Sequence, residues 1–290
     1  MTVPFLCGIV LKILTAPAKE GIEISGAQIY FTINMPLQPF YVTEAQINSV
    51  IVTLFILGFC LFLTHGLEEK PNKNRQVIAE YVVETVDGLV ETNMGDRYAA
   101  FSPFIAAIIA TSAFSSLSSL LGLFPPTADI NVIAGWSILV FILITHFKLK
   151  GGLWNYVKGY FEPIPVFAPL NVIGEIATPV SMTFRHFGNV LSGVVISTLI
   201  AAALSGVSNL ILGWLPGIFG EIAIFRVGLP AVLSLYFDLF SGCLQAFIFA
   251  MLTMLNISNG FPEEEYEKRM KKKIERQRAK EEARALAEKQ

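Results

Sequence analysis

Five stretches of the chain stay apolar long enough to cross a bilayer, near residues 46–65, 101–124, 130–147, 167–205 and 221–258. A span takes about 20 apolar residues, because the hydrocarbon core is about 30 Å thick and a helix rises 1.5 Å per residue. The last two stretches are each close to twice that length, so they must tilt steeply, bend or break. Pro169, Pro179 and Pro230 mark where bends can fall. Residues 75–94 carry a different pattern. Val77, Ile78, Tyr81, Val82, Val86 and Leu89 make an apolar stripe at helical spacing, with Glu80, Glu84, Asp87 and Glu91 opposite. That spacing predicts an amphipathic helix lying on a membrane surface. Its acidic face suits a neighbouring protein better than anionic lipid. The whole pattern predicts an all-α polytopic membrane protein: five membrane-embedded helices, the last two long and steeply tilted, plus one interfacial amphipathic helix.

Composition agrees. Hydrophobic residues make up 53% of the 290 and charged ones 15%, against about 25% charged in soluble domains. The charge is partitioned. Between Phe101 and Phe261 the only bases are Lys148, Lys150, Lys158, Arg185 and Arg226, whereas ten of the 21 lie in residues 262–290. Lys70, Lys73, Arg75 and Arg97 follow the first span, and Lys148, Lys150 and Lys158 follow the third. The loops holding Glu44 and Asp129 have no nearby base. Under the positive-inside rule this predicts an outside N-terminus and a cytoplasmic C-terminus. The opening MTVPFLCGIVLKILTAP lacks a basic start, which reads as a short interfacial or re-entrant segment and not a cleaved signal. Cys7, Cys60 and Cys243 stand apart in apolar contexts, as reduced core residues.

Three regions follow: 1–45, an outer or interfacial segment; 46–261, a membrane domain; and 262–290, a charged cytoplasmic tail. Eight acids offset the tail's ten bases, which argues against nucleic acid as a partner. Glu264→Lys268 and Glu267→Lys271 have the favourable i, i+4 order for a solvated helix. Tyr266, Met270 and Ile274 make a narrow apolar strip, suited to docking the tail's first turns on a neighbour, with residues beyond about Lys280 mobile.

The segment TFRHFGNVLSG, residues 183–193, places a cation inside an apolar span. A charge at mid-bilayer costs roughly 2.5–3.5 kcal/mol on insertion scales, so such a residue is read as functional first. On a helix Thr178, Ser181, Arg185, Gly188, Asn189 and Ser192 share one small, polar face. The plain alternative is that Arg185 is a static partner for a carboxylate of this chain. In the last span Asp238, Ser241, Gly242 and Gln245 recur at i, i+3, i+4 and i+7. Antiparallel spans bring Gln245 near the depth of Arg185, with Asp238 toward the outer side and Glu175 toward the inner side. His186 points about 100° away from the arginine face, as a packing or lipid-facing neighbour.

These residues resemble a known family. FRHFGN with its polar, small-residue helix is similar to the arginine motif of the a subunit of F-type ATP synthases. PTADIN at 126–131 and LQAFIFAMLT at 244–253 resemble two further motifs of that subunit, in the same order, and PLQPFYVTEAQINS fits more loosely. The resemblance covers residues 36–260. It implies ion translocation through two offset half-channels against a rotating c-ring, with the proton expected as the coupling ion ahead of sodium, since the choice between them lies mainly in the c-ring carboxylate site. It also implies peripheral-stalk b subunits and lipid as partners, a bacterial inner membrane as location, no cofactor, and no enzymatic activity by the subunit alone. Arg185 matches the family's essential arginine, Asn189 the asparagine four residues on, and Gln245 the glutamine facing it. Asp129 belongs to the outer-side motif, and Ser192, Ser241 and Glu175 join the ion pathway. Many relatives have a glutamate nine residues after the arginine, where this chain has Val194. Some have a histidine seven before the glutamine, where it has Asp238. The outer relay is therefore expected on the other helix. A stand-alone secondary transporter would show internal repeats, and none is seen between the halves. A membrane-embedded enzyme would need a nucleophile–base pair or a metal cluster at helical spacing, which three scattered His and three isolated Cys do not make. A structural membrane scaffold is a further alternative.

Overall fold

A computed structural model of the chain describes residues 26–36, 38–68, 74–162, 164–212, 232–233 and 235–264, with most of 266–274. The N-terminal apolar run, Arg226, Pro230 and the distal tail lie outside the described residues. A short antiparallel hairpin comes first, β1 (Ile29–Ile33) and β2 (Phe40–Thr43), with Ile33 opposite Phe40. Among the described residues this is the one sheet in an otherwise helical pattern. It runs directly into α1 (Glu44–Thr64), and Glu44 N donates to Gln28 O at 2.7 Å.

The other elements follow in order. They are α2 (Asn74–Met94), α3 (Ser102–Leu117), α4 (Ile130–Leu149), α5 (Leu153–Gly159), α6 (Ala168–Leu212) and α7 (Gly242–Asn259). Among the described residues five helical stretches are long and apolar enough to cross a membrane: 44–64, 96–121, 130–149, 165–204 and 235–259. The protein is thus a polytopic membrane protein.

α6 is unbroken for 45 residues, roughly 68 Å at 1.5 Å per residue. It must tilt to stay within a bilayer. Pro169 produces no bend, because it falls in the first turn, where a missing N–H breaks no helical bond. Pro179 lies inside the helix. α7 is preceded by a wider turn, Leu235–Ser241, in the i→i+5 pattern, so the fifth stretch changes its winding beside Asp238.

α7 is the central element. It packs most extensively on α3, and also on α2, α4 and α6. Its Ala246, Phe249, Ala250, Met254 and Ile257 are fully buried and join Ile105, Val140, Ile144 and Met182 in the core. Small residues allow the close approach. A Cβ on Gly242 would lie 2.5 Å from the Ser116 Cβ. Beyond α3, Asn48 Nδ2 donates to Phe124 O at 2.8 Å and Phe124 N donates to Glu44 at 3.3 Å. The first turn of α1 thereby holds the loop of the PTADIN motif.

Two surface expectations change. The apolar stripe of α2 packs through its C-terminal half, Val86, Leu89, Val90 and Met94, while Val77, Ile78, Tyr81 and Val82 stay exposed. Cys60 is exposed on α1 and is no core residue. The start of the tail is tied to this chain. Arg97 pairs with Glu263 at 3.0 Å and lies over the Phe261 ring at 4.9 Å, and Tyr266 packs against Phe261. Of the expected docking strip, only Met270 and Ile274 remain exposed. Among the described residues the clasp reaches Tyr266, and truncation after Arg278 should leave assembly and ion flux unchanged. Loss of the complex on that truncation, seen by native electrophoresis, would disprove this.

Candidate functional site

The arginine face of α6 is open. Arg185, Ser181 and Ser192 are exposed, and Thr178, Gly188 and Asn189 are half-buried. Among the described residues Arg185 has no carboxylate within ion-pair distance, so no acid described in this chain is its static partner. A guanidinium kept unpaired on a small-residue face is available to a charge from outside the chain.

Two contacts fix the register of α6 against the segment leading into α7. Asn189 Nδ2 donates to Ser241 Oγ at 2.8 Å, and Ser241 Oγ returns a bond to Asn189 Oδ1 at 3.1 Å. Four residues further on, a Cβ at Gly193 would lie 3.0 Å from the Phe237 Cβ. The helices run antiparallel, so the same offset sets Arg185 level with Gln245, and Ser192 level with Asp238. Gln245 is buried behind that level, and it makes no direct hydrogen bond to the arginine. Asp238 is half-buried and lies in the wider turn, a backbone irregularity frequent at functional sites.

Glu175 stands ten residues before Arg185, at the end of the bundle where α4 finishes. Lys148 Nζ pairs with its Oε1 at 2.9 Å, Tyr156 OH donates to the same oxygen at 3.1 Å, and Tyr160 OH donates to Oε2. Burial and then the adjoining carboxylate push both phenols above the ordinary tyrosine range, so they remain protonated donors at neutral pH. A cleft of about 560 Å³ opens beside this cluster, lined by Tyr156, Tyr160, Asn171, Gly174 and Thr178. A second, of about 210 Å³, shares Glu175 and Thr178 and adds Asn256. A third, of about 300 Å³, shares Thr178 and Asn256 and ends on Ser181 and Arg185. The three form one polar series from the Lys148 end of the bundle to the arginine.

At the opposite end, Asp129 is the cap of α4: its Oδ1 accepts from Asn131 N at 2.9 Å and Asn131 Nδ2 at 3.1 Å. One carboxylate oxygen is therefore committed to holding a helix start. Val194 is half-buried, one residue past the Gly193 contact. His186 is a packing residue, and lipid has no access to it: it is fully buried. Residue spacing alone missed the grip of Lys148, Tyr156 and Tyr160 on Glu175. The i, i+4 tyrosine pair was its only trace in the sequence.

Together, the fold and the site define a polytopic membrane protein with an exposed arginine on one of its membrane-spanning helices, unpaired among the described residues. A family profile described as ATP synthase A chain matches residues 47–258. The chain is 32% identical over 221 residues to ATP synthase subunit a of Desulforamulus reducens, covering 74% of this chain and 78% of that one. It is 31% identical over 223 residues to the subunit a of Acidothermus cellulolyticus, covering 73% and 74%. It is 29% identical over 247 residues to a subunit a named as sodium ion specific, from Propionigenium modestum, covering 78% and 77%. The protein belongs to the ATP synthase A chain family. It is a membrane subunit of the F0 sector that takes part in ion translocation and is not an enzyme by itself.

Proposed function

We propose that this chain carries protons through two offset half-channels to and from mid-membrane carboxylates on a rotating c-ring, with b subunits bracing it as peripheral stalk. One observation supports this above the others: the polar clefts from Lys148 and Glu175 end on an arginine that no acid of the described chain neutralises. The clefts are the inner half-channel, entered beside Glu175 and passing Thr178 and Asn256. Arg185 draws each arriving carboxylate into its ionised form. At about 4 Å and an effective dielectric of about 20, such a pair is worth roughly 4 kcal/mol. That biases ionisation and still permits release. The same charge blocks direct passage between the half-channels. Asn189, Ser241 and Gln245 keep the level of Arg185 polar. Asp238, with Ser192 beside it, is the titratable relay of the outer half-channel, and Asp129 braces the outer end. The driving force is about 2.3 kcal/mol per charge per 100 mV. The location is a bacterial inner membrane, N-terminus outside and charged tail in the cytoplasm.

The inner route is testable with thiols. In inverted vesicles, an impermeant maleimide should block ATP-driven proton pumping in Thr178→Cys and Asn256→Cys proteins of the assembled synthase. In right-side-out vesicles the same reagent should leave both cysteines unlabelled. Labelling only in right-side-out vesicles, or labelling without loss of pumping, would overturn the inner route.

A further inference from the structure

Beside the arginine lies a titratable side chain that the mechanism above does not use. His186 is 0% exposed, although its neighbour Arg185 is exposed on the other side of the same helix. Its Nε2 is 3.2 Å from Ser112 Oγ on α3. Its ring meets Phe249 of α7 edge to face, with centroids 5.5 Å apart, and Trp136 of α4 at 6.3 Å. Trp136 and Phe249 are themselves 6.4 Å apart. One residue from each of α3, α4, α6 and α7 therefore meets at a single node. Nδ1 makes no hydrogen bond among the described residues, so the Ser112 contact is the ring's polar hold.

Near this level α6 is also held by the Asn189–Ser241 pair one turn on and by buried Met182 and Thr183. Much of its surface is exposed, including Val180, Phe184 and Leu191 on either side of the node. On a helix so widely exposed, the rotation about its own axis is set by its few inward side chains, and His186 is the one of them that joins three other helices at a single node. Adjacent helical residues point 100° apart, so fixing His186 inward fixes Arg185 outward. An apolar residue of similar size would fill the space but lose the one directional bond. A buried hydroxyl without its partner would also be left on α3.

We propose that His186 is a positioning residue for ion translocation: its bond to Ser112 and its seat between Trp136 and Phe249 set the rotation of α6 that presents Arg185 to the ring. The inference rests on Arg185 being the ring-facing group. It assigns His186 no proton of its own to transfer.

The test uses the assembled synthase, with His186→Leu, His186→Gln and Ser112→Ala. His186→Leu should reduce ATP-driven proton pumping by about 10²-fold, the scale of loss that a 1 Å misplacement can bring. His186→Gln, which keeps a hydrogen-bonding group at this position, should restore most of it. Ser112→Ala should fall between. Rotation is read separately by a cysteine in place of Ser181, one turn from Arg185 on its face. Maleimide labelling of Ser181→Cys should drop in the Leu background and recover in the Gln background. Normal pumping in His186→Leu would overturn the proposal. So would lost pumping with unchanged Ser181→Cys labelling, and so would loss of the subunit from the membrane in both His186 variants. The labelling result does not depend on what Arg185 does, so failure of the positioning role is distinguishable from failure of the arginine's role.

Discussion

Replacing Arg185 with Ala should bring ion-driven ATP synthesis to background while the chain still inserts and assembles. Assembly should survive because the guanidinium makes no ion pair with the described chain and sits on an exposed face, so its removal leaves no buried partner stranded. Coupling should not survive, because among the described residues no other base lies between the Lys148 level and the Asp238 level of α6 or α7. Arg185→Lys should fare little better. A compact ammonium is more readily deprotonated when desolvated, and it lacks the planar fork that holds a carboxylate with two bonds. The measurement is ATP synthesis in vesicles under an imposed gradient, alongside a blot for the subunit. Appreciable coupled synthesis in the Ala protein would sink the role given to this residue.

Asp238→Asn should cut ion flux by roughly 10²-fold, the lower range for losing a positioned acid–base group. Val194→Glu in that background should restore part of it. Asp238 is level with Ser192, and the Gly193–Phe237 contact ties the two helices beside it. A carboxylate at Val194 would thus stand on the facing helix within about one turn of the lost one. Flux in reconstituted vesicles decides the matter. Unchanged flux in Asp238→Asn would make the aspartate structural, and no recovery with Val194→Glu would show that the two positions do not exchange.

The spans were legible from hydrophobic length alone, since a bilayer imposes one dimension on every crossing segment. The arginine face was also legible, because helical periodicity sorts residues 178–192 without reference to any partner. The β1–β2 hairpin was not. Residues 26–43 are uncharged and aromatic-rich, and in a membrane protein such a run reads equally as strand or interfacial coil. The grip on Glu175 was hidden for another reason. Lys148 is 27 residues away and the tyrosines 15 and 19, so only the path of the chain through α5 brings them together. His186 was half legible: its direction followed from the period, but what lay in that direction depended on how α3, α4 and α7 pack.

Pro179 has a mechanical consequence. It carries no N–H, so the helical rung from residue 179 back to the Glu175 carbonyl is missing, although α6 continues through it. A helix short of one rung is more compliant there than elsewhere along its length. The soft joint lies between the end anchored by Lys148, Tyr156 and Tyr160 and the turn that bears Arg185. A bend between the two held regions, the Glu175 end and the His186–Asn189 turns, falls at this joint. Pro179 is thus the most compliant point of α6 between its anchor at Glu175 and the turn that bears Arg185.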